Sequence, residues 1–235
     1  MSKLKLILLA FVLLVIQSSI LQAQVPVLGS ETLLNKLRLN KGINGIESVL
    51  YADIKGDPFI FKDFMKGQLV IDTGEKIDVN VRYDTYADQM HLKDKDVIYA
   101  IIHPEKVKLI EVDSLKFIYS AYANSLAEET SKESSYFIMK TEGNCKLLIK
   151  KNIRIQDAEP AKLYVEAKPA KFIPTKDTYY LKLGDKPAIK IRNEKDLLSV
   201  LSDKKDKLSS LIKSNKLQIN DINDLVKIVT NYNSF

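Results

Sequence analysis

The clearest pattern in the chain lies between residues 68 and 84. Leu69, Val70 and Ile71 run into Asp72-Thr73-Gly74-Glu75, and beyond these turn formers Ile77, Val79, Val81 and Tyr83 alternate with Asp78, Asn80, Arg82 and Asp84. A period of two puts the first set on a core face and the second in water, which predicts a β-hairpin with one solvated side. Further strand-like runs fall at 97–102, 107–112, 115–120, 135–140 and 145–155. The last two flank Thr141-Glu142-Gly143-Asn144, a connection of turn formers that predicts another hairpin. Two short strands, 178–183 and 187–191, follow around Gly184-Asp185. Strands at this spacing, with few helical patterns between them, predict a mainly β domain over residues 46–191, built as an antiparallel sandwich or barrel-like sheet.

The period changes over residues 193–235. Asn193, Ser202 and Asn220 are each placed to cap a short helix, and in the third Ile222, Leu225, Val226, Val229 and Tyr232 recur at helical spacing. Helices this short are marginal alone in water, so their apolar faces must pack on each other or on the sheet.

The first residues follow a different rule. Lys3 and Lys5 precede an almost unbroken apolar run from Leu6 to Ile16, which Gln17, Ser18 and Ser19 close. These are the parts of a secretory signal peptide, expected to span residues 1–23 with cleavage after Ala23. The run is too short for a bilayer span, which needs about 20 apolar residues. Residues 24–45, punctuated by Pro26, Gly29, Gly42 and Gly45, read as a partly disordered lead-in. Export to the periplasm or beyond the cell is therefore expected, with no transmembrane span in the mature chain.

Loss of Lys3 and Lys5 takes the net charge from +6 to +4. Acidic and basic residues are interleaved rather than gathered in a patch, which argues against nucleic acid as a partner. The single cysteine, Cys145, excludes an intramolecular disulfide and reads as a small apolar strand residue.

Candidate chemistry is sparse. Leu69-Val70-Ile71-Asp72-Thr73-Gly74 resembles the retroviral-type aspartic proteases, in which two chains pair their aspartates around one water. That resemblance implies a homodimer with Asp72 as the catalytic residue; the same three residues are also ordinary turn formers. His91 and His103, with Asp84, Asp88, Asp94 and Asp96 nearby, match no metal-ligand spacing, so no metal is expected. No cofactor is expected either, because the chain has no phosphate-cradling glycine loop, Gly-x-Ser-x-Gly elbow or Cys-x-x-Cys. Tyrosines are plentiful, and Tyr83, Tyr86, Tyr179 and Tyr180 are candidates for stacking against a sugar ring, although the chain has no tryptophan.

Lys66-Gly67, the stretch Arg82-Tyr83-Asp84-Thr85-Tyr86-Ala87-Asp88-Gln89-Met90, the pair Tyr179-Tyr180 and the closing Val229-Thr230-Asn231-Tyr232-Asn233 resemble a set of uncharacterised exported proteins of Gram-negative bacteria. The resemblance spans most of the mature chain and implies an exported, β-rich protein without an assigned activity. The function these readings point to is a non-enzymatic binding module of the cell envelope, with a protein or a glycan as its partner.

Overall fold

Eleven strands lie among the residues that the structure describes, and three C-terminal helices cover one part of them. The computed structural model describes residues 40–41, 51, 53–130 and 133–235; the expected signal peptide and most of the lead-in lie outside them. The strands are β1 (Asn40–Lys41), β2 (Met65–Ile71), β3 (Lys76–Asp84), β4 (Gln89–Asp94), β5 (Val97–Ala100), β6 (Val107–Val112), β7 (Leu115–Ala123), β8 (Ser134–Met139), β9 (Cys145–Gln156), β10 (Lys171–Leu183) and β11 (Ala188–Ile191). They form one sheet in the order β1-β5-β4-β3-β2-β6-β7-β11-β10-β9-β8. All pairings are antiparallel except β7 with β11, where Tyr122 and Ala123 run parallel to Ala188 and Ile189.

β7 is the junction of the sheet. Its Phe117 pairs with Ile110 of β6 on one edge and with Ile138 of β8 on the other. Because β7 also meets β11, strands β7, β8, β9, β10 and β11 close a barrel-like ring, and the remaining strands extend from β7 through β6.

Alternation along the ring strands divides the core in two. Leu148, Tyr180 and Ala188 join Phe137 in one buried cluster. Within it the rings of Tyr122, Phe137 and Tyr180 meet edge to face at 5.0–5.9 Å. Their sequence neighbours Leu147, Leu181 and Ile189 point the other way, into the cluster formed with the helices. A one-residue slip of β9 or β10 would exchange these sets, so the two cores together pin the register.

The helices are α1 (Glu194–Val200), α2 (Lys205–Asn215) and α3 (Ile222–Ser234). Asn193 caps α1 as the sequence predicts, its side chain accepting the Asp196 N–H at 2.9 Å. Ser202 does not cap α2. It opens a 3-10 turn instead, because buried Leu201 closes α1 and the chain passes on without the extended residue that a cap needs. The cap of α3 is Asp221 rather than Asn220, its carboxylate accepting the N–H groups of Asn223 and Asp224 at 2.8 and 3.0 Å. Leu225, Ile228, Val229 and Tyr232 form the buried face of α3.

The β9–β10 hairpin outgrows the sheet. Beyond the Gln156–Lys171 pair its register continues through bridges at Glu159–Lys168 and Lys162–Val165 to a two-residue tip, Leu163-Tyr164. Every residue from 160 to 169 is exposed. At about 3.3 Å per residue the arm reaches roughly 20 Å from Gln156 to its tip.

Candidate functional site

At the root of the arm a β-bulge builds a cleft. Thr175 pairs with Asn152 and Thr178 with Lys150, so Lys176 and Asp177 of β10 together oppose Lys151 of β9. A bulge of this kind bends the strand and re-aims its side chains. Here it brings the Asp177 carboxylate to 2.7 Å from the Lys151 ammonium. The pair is partly exposed, so its net contribution to stability is small, on the order of 0–1 kcal/mol. Asn152 fixes the distortion: its Nδ2 donates to the Lys176 carbonyl at 2.9 Å, the Thr178 hydroxyl at 2.9 Å and, more weakly, the Lys150 carbonyl at 3.3 Å.

Segment 57–60 forms the opposite wall. It is held onto the end of β3 by bonds from the Ile60 N–H to the Tyr83 carbonyl and from the Thr85 N–H to the Pro58 carbonyl. The Asp57 carboxylate accepts the Phe59 N–H at 2.9 Å through one oxygen. The cleft between the walls has a volume of about 380 Å³ and mixes polar Asp57, Thr85, Lys151, Asn152, Thr175 and Asp177 with apolar Pro58, Phe59, Ile60, Ile153 and Pro174. That size is near the lower end for small-molecule sites, about 300–1,000 Å³. Among the described residues no donor reaches the second Asp57 oxygen or the Asn152 Oδ1, so both retain capacity for a ligand.

Behind this wall the 84–88 turn is tied down by its two aspartates. Buried Asp84 accepts from the Tyr86 and Ala87 N–H groups and from the Tyr51 hydroxyl, each at 2.9 Å. Burial raises its carboxyl above the usual aspartate range, and these hydrogen bonds offset that only in part. Asp88 accepts from the Tyr83 hydroxyl at 2.6 Å, the Ser135 hydroxyl at 2.7 Å and the Tyr136 N–H at 3.2 Å, linking the turn to β8.

The tyrosines singled out in the sequence occupy separate settings. Tyr83 is buried between Phe117 and Tyr136. Tyr86 is 46% exposed and meets Tyr51 and Phe172 edge to face. Tyr180 is inside the ring cluster, whereas Tyr179, on the other face of β10, packs against the helical core. Asp72 is exposed on the β2–β3 turn, where Gly74 supplies a φ of +86°. His91 is buried with its ring 6.0 Å from that of Phe59, and His103 contacts Glu105 at 2.9 Å. Among the described residues no three His, Cys, Asp or Glu side chains converge as a metal site would require.

Cys145 opens β9 with no exposed surface, and burial pushes its thiol up to about 12. Tyr180 is likewise pushed up to about 12, and burial moves Tyr83 and Tyr136 well above the ordinary tyrosine range. Each of these groups is neutral when protonated, so each favours the folded state fully below its unfolded pKa, about 8.5 for Cys and 10 for Tyr. That contribution is lost as pH rises toward the folded values. The urea midpoint is therefore expected to stay level up to about pH 8.5 and to fall progressively toward pH 12. A thiol reagent at pH 8 should label Cys145 only after denaturant is added; prompt labelling of the native chain would contradict this burial.

Comparison with protein-family models, with curated proteins and with solved structures finds no match to this chain. Among the described residues no helix is long and apolar enough to cross a membrane.

The cleft draws on segments distant in sequence, 57–60 and 85 from one part of the chain and 151–153 and 174–177 from another. In sequence Lys55-Gly56-Asp57-Pro58 has the composition of a turn and Lys151 falls within the strand-like run 145–155, and no pattern joins the two. The available signal is Pro174, a residue found inside a strand only at an edge or a bulge, followed closely by Lys176 and Asp177, which strands disfavour.

Proposed function

We propose that this chain is an exported, non-enzymatic binding module of the cell envelope, and that the cleft at the root of the β9–β10 arm holds its ligand. One observation carries the reading: a bulge locked by Asn152 arranges polar side chains with spare hydrogen-bonding capacity around an apolar-walled cleft. Carboxylate, amide and hydroxyl groups beside Pro and Phe walls suit a hydroxyl-rich ligand with apolar ring faces, which is the chemistry of a glycan. The volume has room for one or two sugar rings.

The test is an oligosaccharide binding screen with the wild-type chain and with a variant carrying Asp57→Asn and Thr175→Val. Both changes keep side-chain size while altering the polar groups a ligand would meet. A retained oligosaccharide should bind the variant about tenfold more weakly, in keeping with hydrogen bonds worth about 0.5–1.5 kcal/mol each, while the melting temperature stays unchanged. Equal binding by both proteins, or no oligosaccharide bound at all, refutes the glycan assignment.

A further inference from the structure

The tip of the arm stands largely in water, yet it is the most apolar exposed feature among the described residues. Leu163 is 83% exposed, Tyr164 97% and Val165 49%. The turn is also costly to form. Lys162 and Val165 exchange both backbone hydrogen bonds, at 2.9 and 3.0 Å, across a two-residue loop in which only the second central residue has a positive φ, a position that favours glycine. Here it holds Tyr164 at a φ of +62°, a left-handed conformation unfavourable to a bulky side chain. A strained loop that presents Leu, Tyr and Val to water gains nothing from the fold around it.

We propose that this tip is a membrane contact: Leu163, Tyr164 and Val165 dip into the interface of a phospholipid bilayer, and Lys162 and Lys168 meet the headgroup phosphates. The inference does not depend on the cleft. Three features favour a bilayer over a protein. Pro160 and Pro169 have no N–H to donate and flank the arm, so an added strand would lose hydrogen bonds along it. The apolar surface comprises only three side chains, far fewer than the roughly 20–30 residues a side of a specific protein interface.

The third feature is order along the arm. Leu163 and Tyr164 come first, Lys162 and Val165 sit level with each other one step behind, Glu166 follows Val165, Lys168 lies at the level of Glu159, and Arg154 and Lys171 lie at the root. Lysines just behind an apolar and aromatic tip can extend to the phosphates while their stems lie along the acyl boundary. Of the arm's carboxylates, Glu159 is paired with Lys168 at 3.1 Å, and Asp157 and Glu166 are the other two. Three apolar side chains and a few lysines make a reversible contact rather than a permanent anchor.

The chain contains no tryptophan, so Tyr164→Trp installs a single reporter at the tip. With vesicles of phosphatidylethanolamine and phosphatidylglycerol, its emission should shift to the blue and be quenched by lipids brominated on the acyl chain. In co-sedimentation, a variant with Leu163, Tyr164 and Val165 all changed to serine should bind the same vesicles at least about tenfold more weakly, with little change in melting temperature because all three side chains are exposed. An unshifted emission, or equal sedimentation of the serine variant and the wild type, overturns the proposal. Neither result bears on glycan binding, which the tip variants should leave intact.

Discussion

Replacing Gly67 with alanine should cost about 3 kcal/mol or more, a large fraction of the roughly 5–15 kcal/mol that holds a domain folded. Gly67 lies in the middle of β2, paired with Val79 of β3 on one edge and Val112 of β6 on the other. A Cβ there would stand 2.5 Å from the Glu111 carbonyl oxygen, 2.9 Å from Val81 Cγ1 and 3.3 Å from Val112 Cβ. The first of these is backbone inside a hydrogen-bonded ladder, so relief requires moving a strand rather than a rotamer. Gly74 provides the control. It adopts a positive φ at the β2–β3 turn, and a Cβ added there would meet nothing within 4 Å, so Gly74→Ala should cost only the left-handed backbone penalty, about 1 kcal/mol. Urea titrations of the two variants followed by circular dichroism separate crowding from backbone strain, and similar midpoints for both would remove the steric account of Gly67.

What can be read in the sequence follows from how much contrast each segment carries. β3 is legible because Ile77, Val81 and Tyr83 are buried while Asp78 and Asn80 are exposed. β4 is not, since His91 is buried between Met90 and Leu92 and erases the alternation. β10 shows a strand pattern only from residue 178; its first half contains Pro174 and the bulge, which look like a break in sequence but continue a paired ribbon in space. The helices lie where their periodicity puts them, and two of their caps are displaced for local reasons. Adjacent Asn220 and Asp221 are both able to cap, and the short link from Leu201 leaves Ser202 in a 3-10 turn. The cleft and the arm are the least legible features. Neither is a motif: one arises from a register shift between distant segments, the other from a ribbon that outlasts its sheet.

The closing Asn231-Tyr232-Asn233 shows how a polar residue can be as structural as any core leucine. At the end of α3, the Asn233 side chain serves the start of β9 as a neighbouring strand would. Its Oδ1 accepts the Cys145 N–H at 2.9 Å, and its Nδ2 donates to the carbonyls of Cys145 and Glu142 at 2.8 and 3.0 Å. Gly143 makes room for it, since a Cβ there would approach Asn233 Nδ2 to 2.7 Å. One residue earlier, the Tyr232 hydroxyl donates to Asp203 and the Tyr232 carbonyl accepts from Lys204 Nζ at 2.9 Å, tying α3 to the 3-10 turn before α2.

Asn233→Ala leaves the N–H and C=O of Cys145 without partners at the edge of the helical core, at about 1–3 kcal/mol for each group left unsatisfied. The expected loss is about 3 kcal/mol, against about 0.5 kcal/mol for Asn231→Ala, whose amide only bonds back to the Lys227 carbonyl on the exposed side of the helix. Asn233→Asp should not rescue the site, because a carboxylate can accept from Cys145 but cannot donate to the two carbonyls. Hydrogen exchange localises the effect: the Cys145 amide should lose protection in Asn233→Ala and keep it in Asn231→Ala. The Cys145 thiol should also become reactive in native buffer, because the residue sealing the start of β9 is the one removed. If Asn233→Ala kept both the amide protection and the buried thiol, the Asn233 amide would not be what secures the start of β9.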